Sequence, residues 1–415
     1  MMNGGDWRGA SPDNGESSAT GAASAARTAR AANVESAVSA ADAANATDAA
    51  SAANTASAAS PSAGKKPGPQ GQWRPYELHC HTFHSDGQQS LAELAAAAKS
   101  LGLMGVALTD HNTMTGLSGR AEVTEQTGIR IIPGLEWTTF FGHMLTLGIR
   151  EYVDWRNLSP FHIHRGIEGV HRQGGVVGVA HPYRPGSPMC TGCFWEFEVT
   201  DWSQVDYIEV WSGLFPSIRR NNSRAFAFWT ELLNRGCRIA ATSGRDWHES
   251  RKPVTEPVAA TFLHIKEDEL AAPDEIRDAI RSIREGSLAV SMGPRPELTV
   301  ALPQSGTVWG IGETVHFRPD GQEQAIVTAG ADFSARAGYW ELPEQILKLR
   351  IFSNLGELAV MELTGDQPYA GKELSLVGVK WLRAELYGVF CGAYTMIGFT
   401  NAIFVEEVDA CDAGG

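Results

Sequence analysis

Short apolar runs alternate with longer segments of helical periodicity from Trp73 onward. The apolar runs cover residues 76–81, 105–110, 129–136, 144–149, 175–181, 205–211 and 237–243, with a last short run at 288–292. Between them, apolar residues recur at helical spacing over 91–101, 116–126, 161–172, 217–235 and 273–285. This alternation is typical of parallel β-strands joined by crossover helices. Seven or eight such units predict an α/β fold whose sheet closes, or nearly closes, into a barrel.

The pattern changes after Gly293 and Pro294, where the helical periodicity stops. Strand-like runs follow at 298–302, 314–318, 324–328, 346–352, 358–363, 379–386 and 402–406. Several of them alternate apolar and polar residues, and turn formers separate them, which favours a small antiparallel β-sandwich. We therefore predict a barrel domain over 73–295, a β-sandwich domain over 296–408 and a short tail over 409–415.

The first 72 residues differ in composition from the rest of the chain. They are almost entirely Ala, Ser, Thr, Asn, Gly and Asp, with Trp7 as their one aromatic residue and no Leu or Ile. Such a segment buries too little apolar surface to offset its ordering entropy. We expect residues 1–72 to form a disordered tail.

The charge and composition of the chain argue against several classes of binding partner. The net charge of −14 argues against a protein that grips nucleic acid by releasing counter-ions. The chain contains no run of about 18 apolar residues, so we expect no membrane span. Six cysteines in 415 residues do not make a disulfide scaffold, and the N-terminus lacks a signal-peptide pattern. These features favour a cytoplasmic protein with a small-molecule substrate.

Potential metal ligands stand at the ends of most of the predicted strands. His79 and His81 are two residues apart on one strand, so their side chains share a face, and Cys80 points the other way into the helix layer. Burying many such groups together is costly unless a metal ion compensates them. The further candidates at strand ends or starts are His111, Glu136, His143, His181, Asp246 and His248.

The motifs that carry these residues resemble those of the PHP (polymerase and histidinol phosphatase) superfamily. The resemblance covers about residues 73 to 294. The closing segment 399–405 resembles the C-terminal region of the CehA/McbA metallohydrolase branch, named for carbaryl hydrolases. The motifs are His79-x-His81-Thr82-x-x-Ser85-Asp86-Gly87, Thr109-Asp110-His111-Asn112, Pro133-Gly134-x-Glu136, His181-Pro182 and Gly244-x-Asp246-x-His248.

The resemblance implies a distorted seven-stranded (β/α) barrel with two or three clustered divalent metal ions. The first ion would be bound by His79, His81, Glu136 and Asp246. Glu136 would bridge to a second ion held with His143 and His181. A third ion would be bound by Asp86, His111 and His248, which act as acid–base groups if only two ions bind. Imidazole and carboxylate ligands suit zinc, manganese or iron.

Two arginines stand beside the motifs. Arg184 follows His181 by three residues, and Arg245 precedes Asp246, where the family often has a small residue. Either arginine could hold a phosphate group in two hydrogen bonds, or form a salt bridge at the barrel end. Glu209 also ends a strand, as a partner of a ligand or as a structural acid. Cys190 and Cys193 have zinc-knuckle spacing without a second pair nearby, which argues against a zinc site there.

These residues predict a metal-dependent hydrolase. A water between two divalent ions loses a proton near neutral pH and can attack phosphorus or a carbonyl carbon. We expect a phosphoesterase that acts on a small, anionic organic phosphate, with Asp86, His111, His248, Arg184 and Arg245 as the catalytic candidates beside the ligands. Two alternatives stay open: hydrolysis of carboxylic or carbamic aryl esters at the same site, and a non-catalytic metal-binding module. The oligomeric state is not predicted.

Overall fold

The computed structural model describes residues 71–186, 192–265, 274–303, 305–318 and 324–408. The predicted C-terminal tail and all but the last two residues of the predicted N-terminal tail lie outside the described residues, as does Cys190. The first strand begins at Gln72, so it includes the final residue of the segment predicted as tail. Among the described residues, none of the helices combines the length and apolar character needed to cross a bilayer.

Five α-helices lie in the described part of the chain. α1 begins with a capping box, in which the Ser90 side chain accepts a hydrogen bond from the Glu93 backbone N–H and the Glu93 side chain accepts one from the Ser90 N–H. The last helix starts later than predicted, because Asp274 caps it by accepting a hydrogen bond from the Arg277 N–H. The helices are α1 (Leu91–Ser100), α2 (Arg120–Thr127), α3 (Ile163–His171), α4 (Arg220–Asn234) and α5 (Glu275–Glu285).

The first seven strands follow one another in the sheet in chain order. They are β1 (Gln72–Cys80), β2 (Gly105–Leu108), β3 (Arg130–Thr139), β4 (Gly142–Leu147), β5 (Val176–Val179), β6 (Tyr207–Ser212) and β7 (Ala240–Gly244). The expectation of an all-parallel run is wrong at β4, which pairs antiparallel with both β3 and β5. Only residues 140 and 141 separate β3 from β4, which is too short for a parallel crossover.

The run of strands returns to its beginning through the segment after β7. Trp247 donates its backbone N–H to the His79 carbonyl at 2.9 Å, and its own carbonyl accepts the N–H of His81 at 2.9 Å. The end of the β7 segment therefore lies beside β1, which brings the first and last predicted strand ends together. The regular (β/α)7 barrel remains a prediction, since the described structure is a mixed α/β fold with a large sheet and few helices.

One strand of the large sheet was not predicted from the sequence. β8 (Ala260–Ile265) pairs antiparallel with β1 and with β9 (Leu288–Ser291). Residues 260–265 form a short apolar run that ends in His264 and Ile265, and no helical pattern separates it clearly from the strand before it. β8 and β9 extend the sheet on the side of β1 away from β2.

The C-terminal strands are joined to this sheet. They are β10 (Arg295–Ala301), β11 (Val308–Gly310), β12 (Thr314–Phe317), β13 (Ala325–Asp332), β14 (Leu347–Ser353), β15 (Gly356–Leu363), β16 (Tyr369–Leu374), β17 (Trp381–Phe390), β18 (Ala393–Thr400) and β19 (Ile403–Glu407). β18 pairs antiparallel with β9, across the predicted domain boundary at 295–296. β11, β10, β13 and β16 form a separate four-stranded antiparallel sheet, and residues of both sheets share one hydrophobic core. A separate β-sandwich domain stays a prediction.

Asn401 holds the C-terminal region to β7. Its side-chain oxygen accepts the Ala241 N–H at 2.7 Å, and its side-chain nitrogen donates to the Ala241 carbonyl at 2.9 Å. Asn401 is buried, so both backbone groups depend on this amide for their hydrogen bonds. The Asn401 side chain thus makes the hydrogen bonds that a neighbouring strand would make with β7, the strand that leads to Asp246 and His248.

We expect Asn401→Ala to lower the free energy of unfolding by about 2–4 kcal/mol, because two buried backbone groups lose their partners. The measurement is urea denaturation followed by circular dichroism. Asn354→Ala is the matched control, since the partly exposed Asn354 amide accepts the Lys380 N–H and donates to the Gly378 carbonyl in the same two-sided way. Water can replace those bonds, so the control should lose much less. Equal losses in both variants would contradict the assigned role of Asn401.

Candidate metal centre

His79 and His81 reach the interior face of the sheet from the end of β1. The register of β1 against β2 shifts between Glu77 and Cys80, as it does at a β-bulge. Cys80 points to the opposite side, where it packs in a buried cluster with Leu91 and Leu94. The predicted orientation of Cys80 toward the helix layer is therefore confirmed, and its thiol is free and buried.

Every residue predicted as a metal ligand falls into one of three groups whose potential ligand atoms lie within 4.8 Å of one another. Adjacent groups share members, because Glu136 belongs to two of them and His81 to two. The residues therefore form one continuous cluster, although they come from widely separated segments. The groups are His79, His81, Glu136 and Asp246; Glu136, His143 and His181; and His81, Asp86, His111 and His248.

The first group is almost entirely buried, with only Asp246 slightly exposed. The Nε2 atoms of His79 and His81 lie 3.3 and 2.9 Å from Oδ1 of Asp246. Both nitrogens, this oxygen and Oε2 of Glu136 are buried and make no hydrogen bond within the described residues. Ligand atoms that share one tetrahedral zinc ion lie about 3.3 Å apart, given metal–ligand bonds of about 2.0–2.1 Å. The unsatisfied atoms and their spacing fit a bound divalent ion.

The second group depends on the β3–β4 hairpin. The antiparallel register places His143 opposite Thr138, whose side chain shares a face with Glu136 two residues earlier. His143 Nδ1 lies 2.9 Å from Oε1 of Glu136, and His181 Nε2 lies 3.3 Å from the same oxygen. All three side chains are buried. The two oxygens of Glu136 therefore face two different groups.

The third group is the most open to solvent. The Asp86 side chain is 59% exposed, and its Oδ1 lies 3.3 Å from His111 Nε2 and 3.0 Å from His248 Nε2. The loop that carries Asp86 is held by Asp110, whose carboxylate accepts hydrogen bonds from Thr82 and Ser85. These three residues therefore form the part of the cluster that solvent reaches.

Two of the candidate ligands have unusual backbone conformations. His181 has φ of 28° and Asp246 has φ of 54°, in the left-handed region that residues other than glycine rarely adopt. Such conformations persist only where the surrounding structure enforces them, and they concentrate at functional sites. The cluster thus lies where the chain tolerates local strain.

The carboxylates and histidines of the cluster shift one another's pKa values. Burial alone would raise the pKa of Glu136, but the surrounding histidines, His79 first among them, outweigh burial and hold that pKa well below its usual range. Burial would lower the pKa of His79, yet Glu136, Glu209 and Asp246 raise it well above its usual range. The carboxylates thus hold cationic charge in their midst, and a divalent ion can take the place of these protons.

Glu209 and Gly244 support His79 from behind. His79 Nδ1 donates a hydrogen bond to Oε2 of Glu209 at 2.7 Å, and both side chains are buried. This bond leaves Nε2 of His79 as the ligand atom. A Cβ added at Gly244 would lie 2.4 Å from Oε2 of Glu209, so only glycine fits there. The structure thus answers the question left open for Glu209, which is a partner of a candidate ligand.

Sequence reasoning did not find two supporting residues. Gln89 is buried and donates to the carbonyls of His81 and Trp247, which ties β1 to the segment with Asp246 and His248. A single glutamine in a polar loop gives no signal in the sequence. Asp110 positions the loop that carries Asp86, and its place before His111 in a motif could have pointed to it.

The two arginines have different positions. Arg184 forms an ion pair with Oδ2 of Asp246, and its side chain is 41% exposed. The guanidinium of Arg245 lies 3.9 Å from the centre of the Trp247 ring, and Trp247 packs in the cluster that contains Cys80. Arg245 therefore lies on the side of the strand opposite Asp246. The anion-clamp hypothesis for Arg245 is wrong, because the alternation along the chain turns its side chain away from the cluster.

The Cys190–Cys193 pair is described in part. Cys193 is buried and disulfide-bonded, so its sulfur is not a thiolate ligand, and Cys190 lies outside the described residues. His84, three residues after His81, is exposed, and its Nδ1 lies 2.8 Å from the Thr115 hydroxyl. Neither residue belongs to the cluster.

Comparison with known proteins identifies the first half of the barrel segment. Residues 77–170 match the PHP domain family model. An uncharacterized protein of Methanocaldococcus jannaschii is 30% identical over 125 residues, which are 28% of this chain and 69% of that protein. A 5'-3' exoribonuclease of Haemophilus influenzae is 38% identical over 66 residues, 16% of this chain and 24% of the relative.

A solved structure covers more of the chain at lower similarity. It is a two-domain protein from Bacteroides vulgatus that contains a predicted PHP-like metal-dependent phosphoesterase. It is 14% identical, with a TM-score of 0.44, and the match covers 82% of this chain and 100% of that chain. The family model and the archaeal relative, of which more than two thirds is matched, agree with the motifs that form the cluster, and the chain belongs to the PHP superfamily.

Proposed function

We propose that this protein is a metal-dependent hydrolase, and specifically a phosphoesterase that acts on a small organic phosphate. The observation that carries the proposal is the set of three overlapping ligand groups, two of which share Glu136. Five histidine side chains approach its carboxylate within 3.5 Å, namely His79, His81, His111, His143 and His181. A carboxylate in this position suits a bridge between two divalent ions of the zinc, manganese or iron class.

The residues of the chain divide the chemical tasks. Divalent ions, when bound, lower the pKa of a water and neutralise charge on the oxygens of the reacting group. Glu136 and Asp246 supply the negative charge that holds cations in a buried place. Asp86, His111 and His248 lie at the open side, where they can bind a further ion or move a proton to the leaving group. Arg184 uses part of its guanidinium on Asp246 and keeps further N–H donors for a substrate oxygen.

Two features support a small phosphate ester as the substrate. The exoribonuclease relative and a phosphoribosyl 1,2-cyclic phosphate 1,2-diphosphodiesterase of Eggerthella lenta, which is 30% identical over 81 residues, act on phosphate esters by their names. The chain covers only 24% and 31% of these relatives, so their substrates are not transferred. The net charge of −14 disfavours a nucleic-acid substrate.

The alternative substrate is a carboxylic or carbamic ester, as the resemblance to the carbaryl-hydrolase branch suggests. Both reactions use the same metal-activated water, so the ligand groups do not separate them. Arg184 does separate the two substrate classes, because a guanidinium favours a dianionic phosphate over a neutral ester. A non-catalytic metal-binding module would retain metal and hydrolyse neither class.

Glu136→Gln should lose metal and activity together, because the amide has no charge to offset two dications and turns a donor toward them. We expect a loss of at least about 10²-fold in kcat/KM on a phosphomonoester, as for removal of a group that places the nucleophile. Metal content is measured by plasma emission spectroscopy beside steady-state kinetics. Asp246→Asn should weaken the first group and leave the second partly loaded.

Glu385→Gln is the control for Glu136→Gln. Glu385 is buried, as Glu136 is. It pairs with Arg383 and lies outside the three ligand groups. This variant should keep its metal content and turnover. Wild-type metal content in Glu136→Gln would refute the bridge, and a metal-loaded wild type without turnover on any ester would favour the binding module.

Arg184→Ala should raise KM for phosphate esters by about tenfold, as expected for a charge-assisted hydrogen bond to a phosphate, and change KM for a neutral aryl carbamate much less. Its metal content should stay near that of the wild type, because Asp246 keeps its histidine neighbours. Arg245→Ala is the matched control and should leave KM for both substrates unchanged, since its guanidinium lies against Trp247. Equal effects of Arg184→Ala on both ester classes would refute the phosphate preference.

A further inference from the structure

A second cavity, of about 760 Å³, lies away from the metal centre. It is bordered by α5, by the start of α2 and by the segments that follow β4 and α3. None of the residues of the three ligand groups lines it. Cavities of about 300–1,000 Å³ are the size that small-molecule ligands occupy. The cavity is therefore large enough for a ligand of its own.

Arginine dominates the charged lining of this cavity. Of the described residues, one acidic side chain, Asp274, also lines it, and that carboxylate already accepts the N–H of Arg277 as the cap of α5. The chain as a whole has 48 acidic residues and 34 basic ones, so a local excess of cations runs against its composition. The lining arginines are Arg120, Arg150, Arg277, Arg281 and Arg284.

Three of these arginines come from a single helix. Arg277, Arg281 and Arg284 are spaced by four and three residues on α5, which places them on one face. Carboxylates lie near each of them: Asp278 is 3.4 Å from Arg277 and 3.9 Å from Arg281, and Asp206 is 3.9 Å from Arg284. These contacts hold the side chains along the cavity wall.

The other two arginines lack such neighbours. Within the described residues, neither Arg120 nor Arg150 has a carboxylate within 4.0 Å or a side-chain hydrogen bond. Guanidinium groups that share a cavity repel one another, and this repulsion is relieved when an anion binds among them. Met114, Leu117 and Ile276 add apolar surface to the same cavity. The lining thus combines several guanidinium groups with apolar side chains.

We propose that this cavity binds a small organic anion with phosphate or carboxylate groups, separate from the substrate of the metal centre. Arginine forks bind the oxygens of such groups in pairs of hydrogen bonds. Arg120 and Arg150 contribute charges that have no carboxylate partner among the described residues, and the arginines of α5 line the same cavity. The proposal does not depend on the reaction at the metal centre, since none of its residues belongs to the ligand groups.

The test is isothermal titration of the metal-loaded full chain with pyrophosphate, compared with the double variant Arg120→Gln/Arg150→Gln. We expect the wild type to bind and the double variant to bind at least about tenfold more weakly, through loss of two charge-assisted contacts. Metal content is measured after each titration to show that pyrophosphate has not extracted the ions. Arg165→Gln/Arg220→Gln is the matched control, because it removes the same charge from exposed arginines outside the cavity.

The control should bind pyrophosphate as the wild type does. Equal affinity in the wild type and in the Arg120/Arg150 variant would overturn the proposal and place pyrophosphate at the metal centre. Absence of binding to the wild type would overturn it as well. If the double variant melts at a lower temperature, Arg150→Gln alone repeats the test, because the exposed Arg150 side chain makes no bond whose loss would unfold the protein. Unchanged affinity in that single variant would again overturn the proposal.

Discussion

The buried carboxylate of Glu136 is the group on which the rest of this site depends. A fully buried negative charge is tolerated only with compensating partners, and here five histidines surround it within 3.5 Å. The histidines in turn keep buried nitrogens that make no hydrogen bond within the described residues, such as Nε2 of His79 and His143. Each set of groups is costly to bury alone. When divalent ions bind, the carboxylates and the histidine nitrogens become their ligands and no longer lack partners. This accounts for the concentration of polar residues inside an apolar sheet.

The fold supplies this arrangement through strand ends and their short extensions. β1 contributes His79, His81 comes directly after the end of β1, and the hairpin of β3 and β4 contributes Glu136 and His143. Asp246 comes from the extension of β7, where Trp247 pairs with the end of β1 and a positive φ turns the chain. Asn401 then anchors β7 to the C-terminal strands. Backbone pairing thus sets the positions of these ligands, whereas Asp86 lies in a loop that Asp110 holds through hydrogen bonds from Thr82 and Ser85.

The sequence predicted the candidate ligands better than the topology around them. Ligands at strand ends follow from alternation and position, and all nine predicted ligands meet in the structure because carboxyl ends of neighbouring strands converge. The antiparallel direction of β4 could not be read from its apolar residues, since a buried strand looks the same in either direction. Arg245 was misplaced for a related reason: a motif names neighbours along the chain, but alternation assigns Arg245 and Asp246 to opposite faces. The pairing of β9 with β18 joins residues more than a hundred positions apart, which no local pattern encodes.

The β3–β4 hairpin borders both proposed sites. Glu136 and His143 lie toward one end of the hairpin and belong to the metal centre, whereas Pro133 and Gly148 lie toward the other end and border the arginine cavity. The Gly148 N–H donates to the Pro133 carbonyl at 2.7 Å, so both strands meet the cavity as one unit. Metal ions at one end of the hairpin and an anion at its other end would therefore contact the same pair of strands. Any coupling between them must be reciprocal: an anion that tightens metal binding is itself bound more tightly by the metal-loaded protein.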